Sequence, residues 1–104
     1  MSPRIPIPQD AIADFCRRWQ VTEFALFGSV LRDDFGPDSD VDVLVAFSPD
    51  AKHSLFDLVR MEDELRTIFG RRVDLVTRRA VERTTNEWRR QSILASLLHV
   101  AQAS

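Results

Sequence analysis

The chain has 104 residues, of which 44% are hydrophobic and 29% are charged, and its formal net charge is −2. This length and composition are typical of one small globular domain, here 1–104 with an extended, proline-rich lead-in over 1–8. No apolar run reaches the about 20 residues of a membrane span, and no signal-peptide pattern opens the chain. The single cysteine, Cys16, excludes an internal disulfide, so we expect a cytoplasmic protein with no membrane partner.

Charge is distributed unevenly along the sequence. From Asp33 to Glu64 there are ten acidic and two basic residues, whereas from Arg71 to Arg90 there are seven arginines and three acidic residues. Two explanations fit the basic segment equally. It is either a solvated surface or a surface that contacts a phosphate tail, a nucleic acid or an acidic protein. Direct nucleic-acid binding is not expected.

The first predicted element is a helix over Gln9–Trp19. Its apolar residues recur at spacings of three and four, which is typical of an amphipathic helix: Ile12, Phe15, Cys16 and Trp19. Cys16 therefore belongs to the buried stripe. A catalytic thiol is disfavoured because no basic partner is evident in the sequence.

A strand over Val21–Phe27 is predicted next, followed by a Gly28-Ser29 turn that opens a short helix. The backbone amides at such a turn and at a helix start are available to bind an anion. Glycine lets a phosphate approach the backbone, and the Ser29 hydroxyl adds a donor. The turn is therefore a candidate phosphate cradle.

The second predicted strand, Asp40–Phe47, carries two aspartates at alternate positions. Alternate side chains of a strand share a face, so Asp40 and Asp42 are expected to point the same way, about 7 Å apart. A divalent cation would relieve their repulsion, and oxygen ligands suit magnesium. A calcium loop starting at Asp38 is excluded because its sixth and twelfth positions are Val43 and Pro49 rather than glycine and glutamate.

A long amphipathic helix is predicted over Leu55–Phe69, ending at Gly70. Glu62 is the one polar member of its expected core stripe, whose other members are Leu55, Leu58, Val59, Leu65, Ile68 and Phe69.

The third predicted strand, Val73–Thr77, contains one aspartate among apolar residues. An acid in a short strand rich in valine is unfavourable for packing and calls for a reason. Asp74 either pairs with Arg71 or Arg72, or lies beside the aspartates of the second strand in a three-carboxylate site.

The C-terminal part is predicted to be mostly helical over Arg79–Ala95, with an edge strand or a helix continuation over Leu97–Ala101, of which the strand is favoured. Trp88 fits a core or interface position better than a base-stacking one. Neither His53 nor His99 has the spacing of a metal ligand or catalytic pair.

Gly28-Ser29, ten further residues and Asp40-x-Asp42 resemble the signature of the DNA-polymerase-β-like nucleotidyltransferases. The longer string GSVLRDDFGPDSDVDVLV is most similar to the minimal nucleotidyltransferases of the MntA antitoxin type. This resemblance implies an α/β (α+β) fold in which a mixed sheet of three to four strands packs against helices.

The resemblance also implies the site and its ligands. The catalytic and metal-binding residues would be Asp40, Asp42 and Asp74, holding two magnesium ions, and the nucleotide-binding residues Gly28, Ser29, Arg32 and Ser39. Whether Arg32 contacts phosphate or supports an aspartate is open. The implied co-substrate is ATP, and the implied acceptor is a hydroxyl of a HEPN-domain toxin.

Three functions remain open at this stage. The first is a protein adenylyltransferase that acts as an antitoxin. The second is transfer to a small molecule such as an aminoglycoside, which is weakened because those relatives generally carry a further helical domain. The third is a non-enzymatic module that occludes its partner. A purely structural role for the aspartates would leave Asp74 and Gly28-Ser29 unexplained.

Overall fold

The computed structural model describes residues 7–28, 36 and 39–102. Within these residues the chain forms four helices and four strands. In chain order they are α1 (Gln9–Trp19), β1 (Val21–Phe27), β2 (Val41–Phe47), α2 (Leu55–Phe69), β3 (Val73–Thr77), α3 (Arg78–Arg83), α4 (Glu87–Ala95) and β4 (Leu98–Gln102).

The strands form one mixed sheet with the order β3-β2-β1-β4. β1 is antiparallel to both β2 and β4, whereas β2 is parallel to β3. A parallel pair needs a long crossover, and α2 supplies it. The predicted α+β fold with a mixed sheet is confirmed, as is the C-terminal edge strand.

Each face of the sheet is covered by two helices. Alternate strand residues pack beneath α1 and α2 in what we call the α1/α2 core: Ile12, Phe15, Phe24, Leu26, Val41, Val43, Val45, Met61, Leu65 and Val73. The opposite face carries a smaller cluster beneath α3 and α4, the α3/α4 core: Phe27, Leu44, Val81 and Ile93. Because strand side chains alternate, the two central strands β1 and β2 supply both cores.

Local signals set the bounds of α2. Ser54 and Asp57 form a capping box at its start, and Gly70, with φ +70°, ends it by donating its N–H to the Arg66 carbonyl at 2.8 Å. The predicted bounds of this helix are therefore confirmed.

The predicted core stripe of α2 is only partly right. Leu65 is fully buried, and Leu58, Ile68 and Phe69 pack at the margin of the core. Leu55 and Val59 are instead 80% and 60% exposed. The helix is rotated so that Met61, absent from the predicted stripe, lies at its buried centre, which turns Leu55 and Val59 toward the surface.

Helix α1 is tied to α2 by polar contacts at its C-terminal end. Arg18 pairs with both Asp14 and Glu64, and the Trp19 indole N–H donates to Glu64 Oε1 at 3.2 Å. Cys16 packs against the α1/α2 core, and burial raises the pKa of its thiol to about 11. The thiol is therefore protonated at neutral pH, as expected for a structural cysteine.

The predicted C-terminal helix is divided in two. Thr84 has an extended backbone and ends α3, and the Asn86 side chain caps α4 by accepting from the Arg89 N–H at 3.0 Å. Threonine and asparagine favour such positions over a helix interior. None of the helices in the described part of the chain has the length and apolar character needed to cross a membrane.

A buried acid joins three elements on the α3/α4 face. Glu23 of β1 is only 8% exposed and accepts two hydrogen bonds from the Arg78 guanidinium, at 2.5 and 2.6 Å. His99 of β4 lies 2.5 Å from the same carboxylate. This polar cluster fixes the start of α3 and the edge strand against β1.

Candidate active site

The sheet register brings two of the predicted site aspartates together. Asp42 lies opposite Phe27 on β1 and is the direct partner of Asp74 on β3. Directly paired residues of neighbouring strands point to the same face, about 5 Å apart. Both carboxylates therefore lie on the α3/α4 face, where β1 ends and β2 and β3 begin.

Gly28 lies in contact with one of these carboxylates. Its φ of +74° is in the left-handed region, and a Cβ at this position would overlap Asp42 Oδ2 and lie 3.3 Å from Asp42 Cγ. Only glycine meets both conditions without strain. The Asp42 carboxylate is thus the group that lies against this glycine, and the approach of a phosphate to the turn stays a prediction.

Helix α4 closes the site into a cleft of about 380 Å³. Ile93 packs into the α3/α4 core and holds the helix on the sheet. The sheet side is lined by Phe27, Gly28, Asp42 and Asp74, and the helix side by Trp88, Arg89, Ser92, Ile93 and Ser96. The volume is in the range, about 300–1,000 Å³, of small-molecule sites.

Asp40 lies outside the lining of this cleft. It precedes β2 rather than belonging to it, so the predicted strand is one residue too long at its start. Its carboxylate pairs with Arg72 Nε at 3.0 Å. The adjacent backbone is fixed by the Val41 N–H, which donates to the Arg72 carbonyl at 3.0 Å.

Asp74 is exposed and forms no ion pair with another described residue. The alternative in which Arg72 serves as its partner does not hold, because Arg72 pairs with Asp40. Arg71 donates to the carbonyl of Gly36 at 3.2 Å and is also directed at that of Ser39.

Of the remaining predicted nucleotide-binding residues, Ser39 alone is among those that the structure describes, and it does not line the cleft. Ser39 Oγ accepts from the Gly36 N–H at 3.1 Å, so this side chain shapes the turn before β2. Ser29 and Arg32 are outside the described residues, so their roles in nucleotide binding stay predictions.

The cleft offers carboxylate oxygens as ligands for a cation, but only two of the three aspartates predicted to bind the metal line it. Among residues 7–28, 36 and 39–102, no group of three or more His, Cys, Asp or Glu side chains is arranged to hold a metal ion. Asp42 and Asp74 are brought together, and Asp40 is held by Arg72. Carboxylate oxygens are the ligands that magnesium prefers.

The helix side of the cleft was not predicted from the sequence. Trp88 was expected in the core or at an interface; the core position is wrong, because the side chain is 80% exposed, and Trp88 lines the cleft. Trp88, Ser92 and Ser96 follow one another at intervals of four, a helix row that also runs beside Ile93. The spacing of this row is visible in the sequence, but only the position of α4 against the sheet shows that the row faces the aspartates.

The chain matches the family model of the nucleotidyltransferase domain over residues 9–97. A protein of Methanocaldococcus jannaschii named "Putative protein adenylyltransferase" is 30% identical over 83 residues, which cover 80% of both chains. The protein adenylyltransferase MntA of Thermococcus cleftensis is 38% identical over 65 residues, covering 62% of this chain and 64% of that one.

A solved complex of tri-AMPylated Shewanella oneidensis HEPN toxin with MNT antitoxin contains a chain of similar fold. Its TM-score is 0.62 at 18% identity, and the match covers 91% of this chain and 70% of that one. The family match spans both aspartates of the cleft and the helix that closes it. The chain therefore belongs to the nucleotidyltransferase domain family, as an enzyme of the minimal, MntA-like type.

Proposed function

We propose that this nucleotidyltransferase transfers AMP from ATP to a hydroxyl group of a partner protein, and that the partner is a HEPN-domain toxin for which the chain is the antitoxin. The observation that carries the transfer chemistry is the pairing of Asp42 with Asp74 beside Gly28 in one cleft. The adenylyltransferase names of two relatives and the AMPylated toxin in a complex of similar fold support the choice of AMP and of the acceptor.

We further propose that Asp40, Asp42 and Asp74 hold magnesium, with two ions in the complete site. The donor set fits, since all three ligands are hard oxygens and two already share the cleft. Asp40 would exchange its Arg72 partner for the metal. When bound, the metal neutralises phosphate charge and lowers the pKa of a coordinated hydroxyl.

In this proposal the residues of the chain orient the reactants. The acceptor oxygen attacks the α-phosphorus, the bond to the β-phosphate breaks, and pyrophosphate leaves. Asp74 is exposed at the cleft and would take the acceptor proton. Backbone amides at Gly28, with Ser29 and Arg32, would hold the phosphates.

Magnesium and nucleotide should also stabilise the fold, because a ligand that binds only the native state raises its stability. We expect the melting temperature to rise when millimolar magnesium and ATP are added together. The Asp42→Asn variant should show a much smaller rise.

A binding-only antitoxin is the second candidate, and one observation favours it. Leu55, Phe56 and Val59 are 60–80% exposed on α2, the helix that covers the opposite face of the sheet from the cleft. Exposed apolar residues of this kind are typical of protein contact surfaces. A contact there would serve occlusion without any chemistry in the cleft.

Label transfer separates these functions. The chain is incubated with magnesium and ATP labelled at the α-phosphate, in lysate of its source cells, beside Asp42→Asn and the exposed-loop control Asp50→Asn. We expect a labelled protein band with the wild type and with Asp50→Asn, and none with Asp42→Asn. Label confined to small molecules would overturn the proposed acceptor, and a co-purifying partner without any label would favour occlusion.

A further inference from the structure

The Trp88 side chain is exposed to solvent in the cleft that holds the paired carboxylates of Asp42 and Asp74. Trp88 is 80% exposed, although burial of an aromatic ring of this size is strongly favourable. It lines the same cleft as Asp42 and Asp74. The ring is therefore available to a ligand that enters the cleft.

The packing of α4 holds the ring at this position. Ile93 is 8% exposed and packs with Phe27, Leu44 and Val81, while Asn86 caps the first turn of the helix. Rotating α4 to bury Trp88 would remove Ile93 from the α3/α4 core and break this arrangement. Ser92 and Ser96 continue the Trp88 row along the cleft with small side chains, which leaves room beside the ring.

The neighbouring residue adds a cation. Arg89 is exposed, lines the cleft and forms no ion pair within the part of the chain that the structure describes, although two carboxylates line the same cleft. A guanidinium suits phosphate oxygens, and a flat aromatic ring suits a nucleobase. The two side chains are adjacent on one helix, so a single ligand that carries both groups can contact both.

We propose that α4 is the nucleobase-binding wall of the site, with Trp88 stacking on the base of the donor nucleotide and Arg89 contacting its phosphates. The inference rests on the proposed function, since it takes a nucleotide as the occupant of the cleft. The base is the flat group that a nucleotide carries when its phosphates lie at Gly28 and Asp42. Trp88 is thus a binding residue for the donor, with no part in proton transfer.

Binding calorimetry with two ligands tests the assignment. Magnesium–ATP carries the base and the phosphates, whereas magnesium–tripolyphosphate carries the phosphates alone. We expect Trp88→Ala to weaken ATP binding by about tenfold or more, Trp88→Phe to weaken it less, and neither to change tripolyphosphate binding. Arg89→Ala should weaken both ligands. Phe56→Ala, at an equally exposed aromatic residue on the other face, is the matched control and should change neither.

Fluorescence gives a second readout. The chain has two tryptophans, and Trp19 lies in the α1/α2 layer, away from the cleft. ATP should quench the wild-type emission, and Trp88→Phe should remove the quenching.

The proposal is overturned if Trp88→Ala binds ATP as tightly as the wild type. It is also overturned if only the KM for an acceptor protein rises, because the ring would then contact the acceptor. If the wild type binds neither ligand, the proposed function fails first and the inference fails with it.

Discussion

The two faces of the sheet differ although they are built from the same strands. On β2, Val41, Val43 and Val45 are fully buried in the α1/α2 core. The alternate position Asp42 faces α4 across a cleft instead. A period of two thus lets one short strand contribute to a closed apolar core and to an open polar site, with no residue required to do both.

The difference is one of packing as well as of polarity. Beneath α1 and α2, apolar side chains from three strands and two helices fill the core. Beneath α3 and α4 the apolar cluster is smaller, and the Glu23–Arg78–His99 cluster and the cleft take the remaining area. Substitutions in the α1/α2 core should therefore change stability, and substitutions in the lining of the cleft should change chemistry.

The largest effect is expected at Asp42. Asp42→Asn should lower the transfer rate by about a hundredfold to a thousandfold, since metal-assisted charge stabilisation contributes several kcal/mol and each tenfold is about 1.4 kcal/mol. The thermal unfolding midpoint without ligand should change little. Initial rates and a melting curve on the same preparation check this, and a variant that is inactive because it is unfolded would count against it.

On the opposite face, Leu65→Ala should destabilise the fold by about 2–5 kcal/mol, because it leaves a cavity at a fully buried position. Val59→Ala, on the same helix but exposed, should change the free energy of unfolding by less than about 0.5 kcal/mol. Urea denaturation measures both. A large loss at Val59 would show that the observed rotation of α2 is wrong.

The polar cluster should respond to acid. Hydrogen bonds from Arg78 and then from His99 hold the pKa of Glu23 below its ordinary value of 4.5. This stabilisation is complete above the unfolded-state pKa and is lost as the pH falls through the lowered folded-state pKa. We expect Glu23→Gln to cost about 2 kcal/mol at pH 7, since it removes a charged partner from a buried pair. The difference in the free energy of unfolding between Glu23→Gln and the wild type should decrease below about pH 4.5. Denaturation curves across pH that show a widening gap would contradict this.

Two glycines separate backbone strain from function. Gly28→Ala and Gly70→Ala both place a side chain at positive φ and should each cost about 1–2 kcal/mol. A Cβ at residue 70 meets nothing within 4 Å, whereas one at residue 28 overlaps the Asp42 carboxylate. Only Gly28→Ala should therefore lower transfer in excess of its stability loss. Equal activity of the two variants would show that the close approach between Gly28 and the Asp42 carboxylate is not needed for transfer.

Strong local patterns made much of the fold predictable. The bounds of α1, β1, α2 and β3 follow from apolar periodicity and from Gly70. The break between α3 and α4 was missed because the polar residues at 84–86 read as continued helix until the caps at Thr84 and Asn86 are seen. The exposure of Leu55 and Val59 depends on which face of α2 meets the sheet, and spacing alone does not decide that.

The site was also predictable in part from local sequence patterns. Asp74 was expected beside the aspartates of the second strand, and the register of the parallel strands β2 and β3 places it next to Asp42. The partner of Asp40 and the position of Trp88 depend on contacts between elements distant in sequence. No local pattern contains them.

Paramagnetic broadening tests most directly whether the cleft on the α3/α4 face is the site. Manganese replaces magnesium in the presence of ATP, and assigned amide and indole signals are followed by NMR. We expect strong broadening at Gly28, Asp42, Asp74 and the Trp88 indole, with little at Phe56 or Leu65. Broadening centred on the acidic residues of α2, with the cleft signals unchanged, would contradict it.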